Sequence, residues 1–171
     1  RYVGRLVVDN ALALYSAARP GVASLCSPRK FSGLPDGGIA VMDADQPLPE
    51  PEERDESLPD AAFLLGCLER GPERASAACG RNERRLENAP LRKMARLTER
   101  LMRGIDYEQA RLRRMDNFLF LHERLGHLNR LSVEPDSLSA PFCYPFWTAF
   151  PELRNVLIDE RILVPLLWPE V

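Results

Sequence analysis

The sequence predicts a mixed protein of the α/β to α+β class, in which part of a larger sheet precedes helices and a small C-terminal α+β domain. Three observations predict this class. Residues 5–43 contain short apolar runs typical of strands, residues 46–60 form a connector rich in proline and acid, and residues 61–129 repeat apolar side chains at helical spacing. We therefore expect two domains, residues 1–60 including the connector and residues 61–171.

Three strands are predicted in the first domain, at residues 5–8, 22–26 and 39–43. They are short and apolar on successive residues, a pattern typical of strands buried on both faces of a parallel sheet. Residues 11–18 are good helix formers, which predicts a helix after the first strand. Turn residues at 33–38 (GLPDGG) separate the second and third strands.

The second domain is predicted to begin with helices and to end with a small sheet. A helix at residues 61–70 should stop near Gly71-Pro72, residues 91–102 carry an apolar stripe, and the longest helix should follow Asp106, which suits an N-cap. Beyond residue 129 we expect an apolar strand at residues 142–148, a helix at 151–160 that begins with Pro151, and a strand at 162–164.

Two polar residues follow predicted strands closely enough to suggest a binding site. Asp9 ends the first strand, and ligands of open α/β sheets bind at the carboxyl ends of strands. Asp9 is equally suited to cap a helix at residues 11–18. Lys30 lies in a turn directly after the second strand, and it is one of only two lysines, with Lys93, among 23 basic residues. An ordinary surface lysine is the alternative.

The charge of the chain gives no general attraction to nucleic acid. The formal net charge is −2 and the isoelectric point is about 5.8. Arginines are dense in residues 81–114, but acidic residues are interleaved with them and aromatic residues are few. This pattern is typical of a solvated helix face with ion pairs between successive turns, so we expect no nucleic-acid partner.

Metal binding and membrane insertion are not indicated either. His122 and His127 are five residues apart and do not share one helix face, and the four cysteines are scattered without a close pair (Cys26, Cys67, Cys79, Cys143). No apolar run reaches membrane-spanning length, and the first residues lack the long apolar segment of a secretory signal. We expect a cytoplasmic protein with free thiols and no metal.

Three segments together resemble a known family. Residues 7–11 (VVDNA), 27–31 (SPRKF) and 33–38 (GLPDGG) are similar to the cofactor-binding stretch of fold-type I pyridoxal-phosphate aminotransferases, in the branch of the DegT-type sugar aminotransferases. Further on, the long helix with Arg114, Asn117-Phe118, Leu121 and Leu125, and residues 162–169, resemble later elements of that branch. The resemblance implies part of the large-domain sheet followed by the small C-terminal domain.

The resemblance also implies a cofactor site. Lys30 would bind pyridoxal phosphate covalently, Asp9 would hold the protonated pyridine nitrogen, and Ser27 would contact the phosphate. A lysine that attacks a carbonyl must be neutral part of the time, which neighbouring cations such as Arg29 promote. A carboxylate beside the ring nitrogen keeps the ring protonated, so that it accepts electrons from the substrate carbon.

The activity implied is transfer of an amino group from an amino donor to a nucleotide-linked keto-sugar, in sugar or polysaccharide biosynthesis, by a homodimer. We expect the chain to be the C-terminal portion of a longer enzyme and to be inactive alone. One departure concerns Leu12, where the family commonly has glutamine, and it puts a polar contact near the cofactor in doubt. The alternative is a catalytically inactive relative, or an isolated domain that only binds a partner.

Overall fold

The computed structural model describes residues 6–43, 45 and 47–164, and in this part of the chain it shows three strands and five α-helices. The strands are β1 (Val7–Asn10), β2 (Ala23–Cys26) and β3 (Ile39–Val41). The helices are α1 (Leu58–Arg70), α2 (Pro72–Glu87), α3 (Arg96–Arg103), α4 (Tyr107–Leu125) and α5 (Leu153–Asp159).

The sheet has the order β1-β2-β3 and is mixed. β1 pairs with β2 in parallel, from Val7 opposite Ala23 to Asn10 opposite Cys26, whereas β3 runs antiparallel to β2. Strands therefore form in all three predicted segments, although the predicted start at Arg5 lies outside the described residues. The expectation of a sheet buried on both faces is wrong for the described sheet, because the side chains of Val7 and Leu25 are at least half exposed.

The helix predicted for residues 11–18 does not form. Turns follow β1 instead, and the first is fixed by the Asp9 side chain, whose Oδ1 accepts the amide of Ala11 at 2.8 Å. The carbonyl of Asn10 then accepts the amide of Ala13 at 2.9 Å. A short segment gains too few helical hydrogen bonds to repay helix nucleation, and an aspartate that bonds the backbone two residues on favours a turn.

The helical hairpin of α1 and α2 begins where the sequence analysis expected a helix. Gly71 separates the two helices with a φ of +85°, which only glycine adopts without strain, and Pro72 opens α2 at the position where a missing amide costs nothing. α3 is shorter than the predicted stripe at residues 91–102, because the backbone of Lys93 bonds Glu53 and Asp55. Part of the acidic connector is thus paired rather than merely solvated.

A group of buried polar side chains joins residues 35–36, in the turn that precedes β3, to α2, α3 and the start of α1. The Thr98 hydroxyl donates to Asp36, so the Ser57 hydroxyl, 3.1 Å from Thr98 Oγ1, must be the donor in that pair. Asn82 donates to the carbonyl of Pro35 at 2.7 Å. We call Asp36, Ser57, Asn82 and Thr98 the polar cluster; each is less than 7% exposed. It fastens residues 35–36 to α2, α3 and the start of α1.

The C-terminal strands predicted at residues 142–148 and 162–164 are wrong, since no strand occurs among residues 116–164. The side chain of Asn129 explains the first absence. Its Oδ1 accepts the amides of Leu131 and Trp147, and its Nδ2 donates to the carbonyl of Pro145. These bonds occupy backbone groups that a strand would need for pairing. Pro145 also lacks the amide that would bond a neighbouring strand. The helix predicted at residues 151–160 forms as α5.

The described residues divide into two compact units, with the boundary inside α4. The first unit runs to Met115 and includes Ser139–Phe142, and the second contains Asp116–Leu138 and the described residues from Cys143 on. Helices α1 to α3 belong to the same unit as the sheet. The domain boundary expected at residue 60 stays a prediction.

We expect Gly37→Ala to lower the free energy of unfolding by about 1–3 kcal/mol. Gly37 has a φ of +99°, and a Cβ there would lie 3.0 Å from Thr98 Cγ2 in the polar cluster. Gly33→Ala is the matched control, because a Cβ at Gly33 meets no atom within 4 Å. Denaturant unfolding should show Gly33→Ala unchanged or stabilised by up to about 1 kcal/mol. Equal effects of the two substitutions would contradict this account of the turn.

Candidate functional site

The candidate site lies where β1 and β2 end side by side. Because the two strands are parallel and Asn10 pairs with Cys26, the chain leaves both strands at the same edge of the sheet. Asp9 is the third residue of β1, and Ser27 follows β2 directly. Lys30 ends the short 3₁₀ helix Pro28–Lys30, which we call the lysine turn. The sheet thus brings the three residues predicted from the sequence to one edge.

Asp9 is exposed, and its carboxylate is already used within the turn that follows β1, through the bond from Ala11. Asp9 therefore caps the segment that follows it, as the alternative interpretation expected, but that segment is a turn and not a helix. The carboxylate also acts on β2: burial raises the pKa of the Cys26 thiol, and the negative charge of Asp9 raises it further. The charge of Asp9 therefore acts on Cys26, the last residue of β2.

The lysine turn is compact and partly anchored. The carbonyl of Ser27 accepts the amide of Lys30 at 3.1 Å, and the carbonyl of Pro28 accepts the amides of Phe31 and Ser32, each at 3.0 Å. Pro28 is buried, while Ser27 makes no side-chain capping bond to the turn. The backbone is thus fixed, and the Ser27 hydroxyl is not consumed in holding it.

Glu83 of α2 binds both basic residues of the lysine turn. The guanidinium of Arg29 contacts both carboxylate oxygens, with Nη1 at 2.5 Å from Oε1 and Nη2 at 3.1 Å from Oε2. Lys30 Nζ lies 3.8 Å from Oε2 of the same carboxylate. The pair with Arg29 has two-point hydrogen-bond geometry, whereas the pair with Lys30 is a longer charge contact on a side chain 36% exposed. Glu83 therefore holds Arg29 tightly and Lys30 loosely.

Arg114 of α4 binds the residue on the other side of Lys30. Its Nη2 donates to the carbonyl of Phe31 at 2.9 Å, and its guanidinium carbon lies 4.6 Å from the centre of the Phe31 ring. The ring also meets Tyr15 and Phe142 edge to face, with centroid distances of 5.8 and 5.6 Å. Lys30 is thus bracketed by two anchored neighbours.

Sequence reasoning missed the role of Glu83 entirely and placed Arg114 only in a helix pattern. Glu83 lies 54 residues from Arg29, and Arg114 lies 83 residues from Phe31. No local pattern reports contacts at such separations. Among the described residues there is no group of three or more histidine, cysteine or acidic side chains placed to hold a metal ion. No described helix is both long and apolar enough to cross a membrane.

Comparison with known proteins identifies no relative of this chain. No protein-family model matches the chain, no curated protein is significantly similar to it, and no solved structure matches its fold. Functional inference therefore depends on the residues and on the geometry of the sheet edge.

We expect Arg114→Met to speed tryptic cleavage after Lys30 by about fivefold, the equivalent of one hydrogen bond worth about 1 kcal/mol. Cleavage requires the lysine turn to open locally, and the bond from Arg114 to the carbonyl of Phe31 opposes that opening. Arg113→Met, at the exposed neighbouring position on α4, is the control and should leave the rate unchanged. If both variants are cleaved at the wild-type rate, Arg114 does not anchor the turn.

Proposed function

We propose that the full-length protein is a pyridoxal-phosphate-dependent aminotransferase that transfers an amino group from an amino donor to a nucleotide-linked keto-sugar. One observation carries the proposal: the parallel register of β1 and β2 brings Asp9, Ser27 and Lys30 to the same sheet edge. These are the residues on which the resemblance to the sugar aminotransferases depends.

The amine, carboxylate and hydroxyl groups at the sheet edge fit the chemistry of the cofactor. A primary amine on an exposed side chain, an exposed carboxylate and a hydroxyl outside the turn's own bonds lie on segments that leave adjacent strands together. When bound, pyridoxal phosphate supplies an electron sink that stabilises negative charge at the substrate carbon.

Each of the three site residues would have a distinct role. Lys30 would supply the amine that holds the cofactor covalently and would move a proton at the substrate carbon. Asp9 would hold the ring nitrogen in its protonated form, and Ser27 would donate a hydrogen bond to the phosphate. Leu12 is half-buried after β1 and adds no polar contact. Cytoplasmic location and a homodimer belong to the same proposal.

The second candidate is an inactive relative that binds a partner and performs no chemistry. Two contacts favour it: Asp9 Oδ1 is engaged by Ala11, and Lys30 Nζ lies beside Glu83. In an inactive protein these contacts would be permanent. In the enzyme the contact between Lys30 and Glu83 is weak enough to be exchanged, since an exposed ion pair contributes about 0–1 kcal/mol.

We expect borohydride to fix pyridoxal phosphate irreversibly to Lys30 in the cofactor-saturated full-length protein, and Lys30→Ala to abolish both the label and turnover. Lys93→Ala is the matched control, because Lys93 is the other lysine of this chain and is exposed in the structure. It should retain the label. Mass spectrometry of tryptic peptides locates the modified residue.

The two candidates give opposite results in this experiment. An inactive relative acquires no visible absorbance from the cofactor and no label at Lys30. Labelling at Lys93 or at another residue, with Lys30 unmodified, would show that the proposed chemistry is wrong.

A further inference from the structure

The way in which Glu83 is shared suggests a role for it beyond stability. Its carboxylate contacts Arg29 through two short distances and Lys30 through one long distance, and both cations lie in the three-residue lysine turn. A carboxylate shared in this way keeps its place when one partner leaves. If Lys30 moves away, Arg29 still binds both oxygens.

The rest of the lysine turn does not need Glu83 to stay in position. Pro28 is buried, the carbonyl of Phe31 accepts a bond from Arg114, and the ring of Phe31 is packed between Tyr15 and Phe142. Loss of the Glu83 charge therefore acts first on the two cations and only secondarily on the backbone.

We infer that Glu83 is a positioning residue for Lys30: it holds the lysine amine beside α2 in the free protein and releases it to the ligand, while Arg29 keeps Glu83 in place. This role rests on the proposed function, since the placement of Lys30 matters only if Lys30 reacts. An amine held in an ion pair is less available to attack a carbonyl, and a second cation on the same carboxylate weakens the hold of that carboxylate on the amine.

The two partners of Lys30 should therefore affect its reactivity in opposite directions. Glu83→Gln removes the anion and leaves the Arg29 cation, so Lys30 becomes more reactive. Arg29→Gln removes the cation and leaves the Glu83 carboxylate available to Lys30, so Lys30 becomes less reactive. If the substitutions merely loosened the turn, Lys30 would become more reactive in both variants. Opposite changes therefore distinguish positioning by Glu83 from a general loosening.

Trace labelling of the full chain with acetic anhydride measures this directly, because the ratio of acetylation at Lys30 to that at Lys93 cancels differences in reagent. We expect the ratio to rise about twofold to fivefold in Glu83→Gln, which corresponds to an exposed ion pair of ordinary strength. It should fall in Arg29→Gln. Glu87→Gln is the matched control, since it removes the same charge from the same helix at an exposed position and should leave the ratio unchanged.

Outcomes of this test are separable from those of the cofactor experiment. An unchanged ratio in Glu83→Gln, or a rise in both Glu83→Gln and Arg29→Gln, would overturn the role of Glu83 even if borohydride fixes the cofactor to Lys30. Conversely, opposite changes in the two variants together with no cofactor at Lys30 would support the positioning by Glu83 and reject the aminotransferase proposal.

Discussion

The parallel pairing of β1 with β2 is the constraint on which the candidate site depends. Its register sets Asn10 opposite Cys26, so the segments containing Asp9 and Lys30 leave the sheet at one edge. A shift of one residue would turn the side chains of β1 to the other face of the sheet and would separate Asp9 from its present neighbours. In this register burial raises the pKa of the Cys26 thiol, and the negative charge of Asp9 raises it further.

Contacts made far along the chain then fix the segment between β2 and β3. The polar cluster attaches residues 35–36 to α2, α3 and the start of α1, while Glu83 and Arg114 bind the residues on either side of Lys30. Buried hydroxyl and carboxylate groups are costly unless they are paired, so the cluster favours one arrangement of the turn. The lysine amine, by contrast, has a single long ion pair at the surface. A fixed backbone with a releasable amine suits a residue that must reach a ligand.

Local signals explain which parts of this arrangement were predictable. The apolar runs at β1, β2 and β3 and the break at Gly71-Pro72 are readable in the sequence, because each depends on neighbouring residues. The helix expected at residues 11–18 and the strand expected at residues 142–148 failed because Asp9 and Asn129 bond nearby backbone groups. For the site, the sequence predicts that Asp9 and Lys30 share a sheet edge, and Ser27 enters only through the family resemblance. It gives no sign of Glu83, whose partners are brought to it by the packing of α2.

The central claim is that Asp9 and Lys30 serve one ligand, and a spectral titration of the full-length Asp9→Asn protein with pyridoxal phosphate tests it most directly. Asparagine keeps an oxygen that can accept the amide of Ala11, so the turn after β1 is preserved and only the charge is lost. The account predicts that the cofactor still attaches to Lys30 but that its apparent affinity falls by about tenfold or more, as expected for loss of a hydrogen bond to a charged group. An affinity and a visible spectrum identical to those of the unaltered protein would contradict it.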